Sequence, residues 1–78
     1  MKILYFASLK ENLKISSEEI QINTQTSVKQ LRKILANKHG QHYFPENILC
    51  AVNQAIAADA LVIQQTDEVA FYPPVTGG

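Results

Sequence analysis

Cysteine is almost missing from this chain: Cys50 is the one thiol among 78 residues, so no disulfide can form within it. Small secreted domains usually depend on such staples, so a reducing, cytoplasmic setting is the expectation. An excess of one charge is missing too. The 7 Lys and Arg are balanced by 7 Asp and Glu, which argues against nucleic acid as a partner. No apolar run reaches the length of a membrane-spanning helix. The short run near the amino terminus is broken by Lys10, Glu11 and Asn12 and does not read as a signal peptide. Glycine and proline are scarce, three of each, yet Pro73, Pro74, Gly77 and Gly78 crowd the carboxyl end. What remains is an ordinary globular balance, 46% hydrophobic and 18% charged. A chain this short makes one small domain. It has no room for a large substrate pocket with a full catalytic constellation of its own.

The hydrophobic pattern orders the elements. Residues 2–8 read as a strand, with Ile3, Tyr5 and Ala7 on one face and Lys2, Leu4, Phe6 and Ser8 on the other. Leu9 to Ser17 reads as a polar connection. Glu18 to Asn23 alternates, with Ile20 and Ile22 inward, so the two strands suggest an antiparallel hairpin. Ser27 and Gln30 fit a capping box, and Val28, Leu31, Ile34 and Leu35 form one apolar helical stripe. Lys38 and His39 suit the end of that helix, and Gly40 suits a left-handed cap, which places the helix over 28–39. Ile48 to Asn53 is a strand, Asn53–Gln54 a turn, and Ala55 to Ala60 either a short strand or a bulge. Leu61 to Ile63 is extended, Gln65 to Asp67 turns, and Glu68 to Tyr72 is the last strand, with Val69 and Phe71 inward.

A single main helix must then cover one face of a mixed sheet of four to five strands. That outline is an α+β fold of the β-grasp kind, with the first and last strands adjacent at the centre. Leu4, Phe6 and Tyr72 would gather on the face turned away from the helix, and an exposed apolar patch marks a partner site. The body spans 1–72 and an extended tail spans 73–78. Pro73 and Pro74 fix φ and lack an N–H, so they stiffen the exit and end the strand. Gly77 and Gly78 carry no Cβ and make the tail as thin as a chain allows. Such an end can enter a narrow channel and present its terminal carboxylate, which becomes an electrophile once activated.

Asp67-Glu68-Val69-Ala70-Phe71-Tyr72-Pro73-Pro74-Val75-Thr76-Gly77-Gly78 resembles the ending of the molybdopterin synthase small subunits, ubiquitin-like sulfur carriers of molybdenum cofactor biosynthesis. Ala51-Val52-Asn53-Gln54 resembles a strand-and-turn motif of the same family. The resemblance covers the whole chain. It implies that an E1-like adenylyltransferase uses ATP to adenylate the carboxylate of Gly78, and that sulfur then replaces AMP to give a thiocarboxylate. It implies no cofactor bound to the chain itself. It further implies that Pro73, Pro74, Val75, Thr76 and Gly77 insert into the large subunit. There the sulfur passes to cyclic pyranopterin monophosphate to form a dithiolene. Ile56 is implied to join Phe6 and Tyr72 at the partner interface. Thr66 stands where the family usually has Gly, so a turn that avoids positive φ is expected there.

Other residues carry plainer readings. Cys50, within a strand, reads as a buried, inert thiol rather than a sulfur relay. His39 and His42 lack the further donors a metal site needs. Lys29, Arg32, Lys33 and Lys38 read as a solvated basic side of the helix. Three other roles share the same tail: sulfur carriage toward the thiazole of thiamin, conjugation to protein lysines through Gly78, and docking without chemistry.

Overall fold

The computed structural model describes residues 1–74; the expectations for Val75, Thr76, Gly77 and Gly78 fall outside the described residues. Strand β1, Lys2–Tyr5, sits second in a five-stranded sheet of order β2-β1-β5-β3-β4. The other strands are β2 (Ser17–Glu19), β3 (Leu49–Val52), β4 (Ala55–Ile56) and β5 (Glu68–Tyr72). β1 and β5 run parallel, with Ile3 opposite Val69 and Tyr5 opposite Phe71. All other pairs are antiparallel. The first and last strands are therefore neighbours at the middle, as the pattern predicts, and the sheet is mixed. This is the β-grasp arrangement.

Helix α2 (Val28–His39) matches the expected bounds. Its capping box is complete: Gln30 N donates to Ser27 Oγ at 3.2 Å, and Ser27 N donates to Gln30 Oε1 at 2.8 Å. Val28, Leu31 and Leu35 are fully buried against the sheet. Ile34 departs from the expected stripe and is 41% exposed; its position on the helix turns it past the edge of the buried face. Gly40 ends α2, with its N–H on Ala36 O, but at φ +125 and ψ 135 it is not in the left-handed helical region. Glycine is favoured all the same, since L side chains rarely adopt φ +125 and a Cβ there would also sit 2.9 Å from the His42 ring.

The largest departure lies between β1 and β2. The first strand stops at Tyr5, and Ala7 and Ser8, expected in that strand, join Leu9 to Leu13, expected as polar connection, in a second helix, α1 (Ala7–Leu13). Leu9 is 2% exposed, and Leu13 packs against the core one turn later. Neither end carries a familiar signal. Phe6 occupies the N-cap without a side-chain bond, and Lys14 closes the helix in the left-handed region at φ 64. Ala7 itself has φ 54, a conformation that costs a residue with a Cβ about 1 kcal/mol. Ala7 therefore leaves the inner face on which strand alternation put it and is exposed.

β2 is shorter than expected, although Ile20 and Ile22 still point inward at 9% exposure. Ala55–Ile56 resolves as a strand, while Leu61 to Ile63 contributes only the bridge from Val62 to Ser27. A 3-10 turn at Gln41–Tyr43 fills part of the loop before Pro45. The core closes between α2 and the inner row of Ile3, Tyr5, Cys50, Val52, Val69 and Phe71.

A part-buried polar cluster lies at the edge of this packing. Tyr5 Oη donates to Glu18 Oε2 at 2.6 Å, Lys38 Nζ donates to Oε1 at 2.6 Å, and His39 Nε2 lies 2.6 Å from Oε2. Glu18 thereby ties edge strand β2 to the end of α2. Burial alone would raise its carboxyl pKa, but the bonds from Lys38, Tyr5 and His39 outweigh it and hold the group below the usual range. Burial, aided by the bond to Glu18 and its charge, pushes the Tyr5 hydroxyl well above its ordinary value. The depressed Glu18 value means that its stabilisation is complete above the unfolded carboxylate pKa of about 4.3 and fades as pH falls through the folded value. Glu18→Gln should therefore cost about 1–2 kcal/mol near neutrality. Urea midpoints of the two proteins should converge under acid; a gap independent of pH would contradict the assignment.

Candidate functional site

Pairing fixes which residues share the outer face of the sheet. Leu4 lies opposite Ala70, Ala70 opposite Ala51, and Ala51 opposite Ile56. Directly paired residues point the same way, so these four make one apolar row across β1, β5, β3 and β4. The row is shallow in the middle, where alanines sit, and rises at Ile56, which is 78% exposed. Tyr72, opposite Leu49, flanks it on the same face. Phe6 is 48% exposed and joins this end of the sheet through its N–H, which donates to Phe71 O at 3.2 Å. Phe6 reaches the surface as the N-cap of α1 rather than as a strand residue. The three expected interface residues are thus spread along one side, Phe6 near Tyr72 and Ile56 two strands from β5. Leu49, Ala51 and Ala70 complete the surface. Sequence alternation marks the outward side of β5, but only the register brings β3 and β4 beside it.

The tail starts from this corner. β5 is hydrogen-bonded on both sides, to β1 and to β3, so its end is held firmly. Pro73 follows at once, half-buried, in a crevice of about 210 Å³ shared with Ser8, His42, Tyr43 and Asn47. Pro74 is exposed. The direction in which the chain leaves is set by a central strand plus a proline seated between α1 and the 3-10 turn.

At the other end of β5 a compact turn network explains the Ala51-Val52-Asn53-Gln54 segment. Asn53 and Gln54 both have positive φ, 52 and 72, as a tight two-residue hairpin turn requires. Asn53 is chosen because its side chain also works: Nδ2 donates to Asp67 Oδ1 at 2.9 Å, and Oδ1 accepts from Glu68 N at 3.0 Å. Asp67 Oδ2 accepts from Gln64 N at 2.8 Å, and Asp67 N closes on Gln64 O at 3.0 Å. Thr66 lies inside this turn without positive φ, as its β-branched side chain requires. The network aligns β3 with β5 and so sets the register of the outer row.

Several other residues are placed away from this surface. Cys50 is 1% exposed on the inner face. Burial raises its pKa to about 11, against the lowering pull of Arg32 and with a further push from Asp59, so it is a thiol at neutral pH and inert. His39 is engaged with Glu18, whereas His42 stacks on Tyr43 at 4.0 Å between ring centroids. Among the described residues no group of three or more His, Cys, Asp or Glu is placed to hold a metal ion. No helix of the described residues is long and apolar enough to cross a membrane.

A parallel central pair, one long helix across the inner face, and a last strand running into a proline-stiffened end define the ubiquitin-like β-grasp class. Within that class the chain belongs to the ThiS family, whose model matches residues 3–78. It is 33% identical to the molybdopterin synthase sulfur carrier subunit of Escherichia coli strain K12, over all of this chain and 99% of that one. Among solved structures it resembles small archaeal modifier protein 1 of Haloferax volcanii, with TM-score 0.80 and 23% identity over 96% of this chain and 97% of that one. It also resembles a chain from a complex of subunits 1 and 2 of the molybdopterin-converting factor of Helicobacter pylori. There the TM-score is 0.69 and the identity 23%, over 99% of this chain and 96% of that one.

Proposed function

We propose that this protein is the sulfur carrier subunit of a molybdopterin synthase and that its own carboxyl end is the reacting group. The observation that carries the reading is the geometry of β5: a strand locked at the sheet centre leads directly into Pro73–Pro74 beside an outward apolar row. Family membership and the sulfur carrier relative support the same role.

The chemistry follows from what a carboxylate lacks. It resists nucleophiles until a good leaving group is attached. An E1-like adenylyltransferase supplies that group from ATP by adenylating Gly78, and sulfur displaces AMP to leave a thiocarboxylate. The loaded chain docks on a large subunit through Phe6, Tyr72 and Ile56 and threads residues 73–78 toward the pterin precursor, cyclic pyranopterin monophosphate. Stiff prolines reduce the entropy lost when the tail is fixed, and the two glycines let it pass where side chains would not. The body contributes position and grip; the large subunit completes the active site.

Incubating the chain with an activating enzyme, ATP and a sulfur source tests this. Intact mass should rise by the exchange of one oxygen for one sulfur, localised to the carboxy-terminal peptide. Sulfur found on Cys50, or no gain at all, would contradict the reading. Likeness to a protein modifier favours a second role, conjugation to protein lysines; it predicts adducts on other proteins rather than a dithiolene.

The docking surface is tested separately. Phe6 is half out of the fold, so Phe6→Asp should leave the melting temperature nearly unchanged. Affinity for the large subunit should fall at least about tenfold, equivalent to about 1.4 kcal/mol. Calorimetric titration showing wild-type affinity would remove Phe6 from the interface.

A further inference from the structure

The basic side of α2 is more than a solvated face. Lys29, Arg32 and Lys33 project together, at spacings of three and four residues, over a groove of about 470 Å³ walled by Phe44, Glu46 and Asp59. Lys29 and Lys33 are exposed, but the Arg32 side chain is only 19% exposed. Its guanidinium carbon lies 5.7 Å from the centroid of the buried Phe71 ring. Nε and Nη1 are enclosed, and among the described residues neither meets an acceptor in hydrogen-bond geometry. Asp59 Oδ1 comes within 3.2 Å of Nε, yet out of line with the N–H. Buried donors are nearly always met, so two unmet donors on one guanidinium mark an unfinished site.

The walls are set in advance. Lys29 N donates to Asp59 O at 3.0 Å and Val28 N to Leu61 O at 2.9 Å, which pins the Asp59 loop to the first turn of α2. Phe44 is packed edge-on to Phe71 and Tyr5. The Asp59 carboxylate, by contrast, is 59% exposed and can swing away. A planar guanidinium fork fits two oxygens of a tetrahedral oxyanion, and the flanking ammonium groups add charge. We propose that this groove binds a phosphate group, with Asp59 giving up the edge of Arg32 to it. The groove lies on the helix side of the sheet, so occupancy is compatible with a partner on the outer face.

Titration of the full chain with potassium phosphate, followed by amide NMR shifts at constant ionic strength, tests the proposal. Saturable shifts are expected at Lys29, Arg32, Lys33, Phe44 and Asp59, with half-saturation at roughly millimolar phosphate, and none with potassium chloride. Lys33→Gln should weaken binding several-fold. Arg32→Lys keeps the charge but lacks the fork and should abolish saturation. Asp59→Asn should tighten binding, whereas Glu11→Gln, an equal change in net charge on α1 outside the groove, should not. AMP in place of phosphate distinguishes an ester, bound more tightly, from the free ion, bound equally or better. Shifts that never saturate, or equal responses in Asp59→Asn and Glu11→Gln, would overturn the site in favour of general screening.

Discussion

A chain lacking Gly78 is expected to keep its fold and lose its ability to be loaded with sulfur. The two halves of that expectation have different physical sources. No buried apolar residue lies beyond Phe71 among the described residues, and the last strand ends at Tyr72. The proposed role sets Gly78 apart from this core, and changes away from packed or bonded groups stay within about 0.5 kcal/mol. Thermal melts of the two chains should therefore overlay. The chemistry has no such tolerance. One residue fewer withdraws the terminal carboxylate by up to about 3.5 Å, and an error of about 1 Å in a reacting group can cost 100-fold. Loading, read as intact mass after incubation with activating enzyme, ATP and sulfur donor, should fall at least that far. A truncated chain that still gains sulfur at the wild-type rate would move the reacting group elsewhere. One that melts early would show instead that the end of the chain belongs to the core.

The parts of this fold that were legible in sequence share a cause: each was specified by more than one local signal. α2 had a capping box, a stripe and a glycine stop, and its bounds agree to the residue. β5 had strict alternation followed by two prolines. The Asn53–Gln54 turn had Asn53, a turn former that tolerates positive φ, although Gln54 at φ 72 carries no such signal. α1 had none of these. Its cap is Phe6, its stop is Lys14, and its seven residues give room for a single buried position, Leu9. The alternation of β1 also runs on through Phe6 and Ala7 by coincidence, which hid the break. The candidate surface was half legible for a similar reason. Alternation says which way Leu4, Ala70 and Tyr72 point, but pairing partners are non-local. The row that joins Leu4 to Ile56 emerges only once β3 and β5 are in register. The basic side of α2 shows the reverse problem: charge was visible, but the tucking of Arg32 against Phe71 was not.

Phe71 and Tyr72 are consecutive, both aromatic, and expected to fail in opposite ways. Phe71 is fully buried, opposite Tyr5 on one side and Cys50 on the other, with the Phe44 ring edge-on at 5.9 Å. Phe71→Ala removes the centre of the inner row and strips the guanidinium of Arg32 of its aromatic floor. The cost should be about 3–5 kcal/mol, a large share of the stability of a domain this small. Unfolded protein should be detectable by circular dichroism at 37 °C. Tyr72 faces outward and is half-buried, so Tyr72→Ala should cost about 1 kcal/mol or less in stability. It should instead weaken the pair with the large subunit, since truncating a central aromatic commonly costs about 2 kcal/mol or more in binding. Denaturation and calorimetric binding on both variants separate core from interface within one dipeptide. If Tyr72→Ala unfolds the chain while Phe71→Ala only weakens association, the two faces of β5 have been assigned the wrong way round.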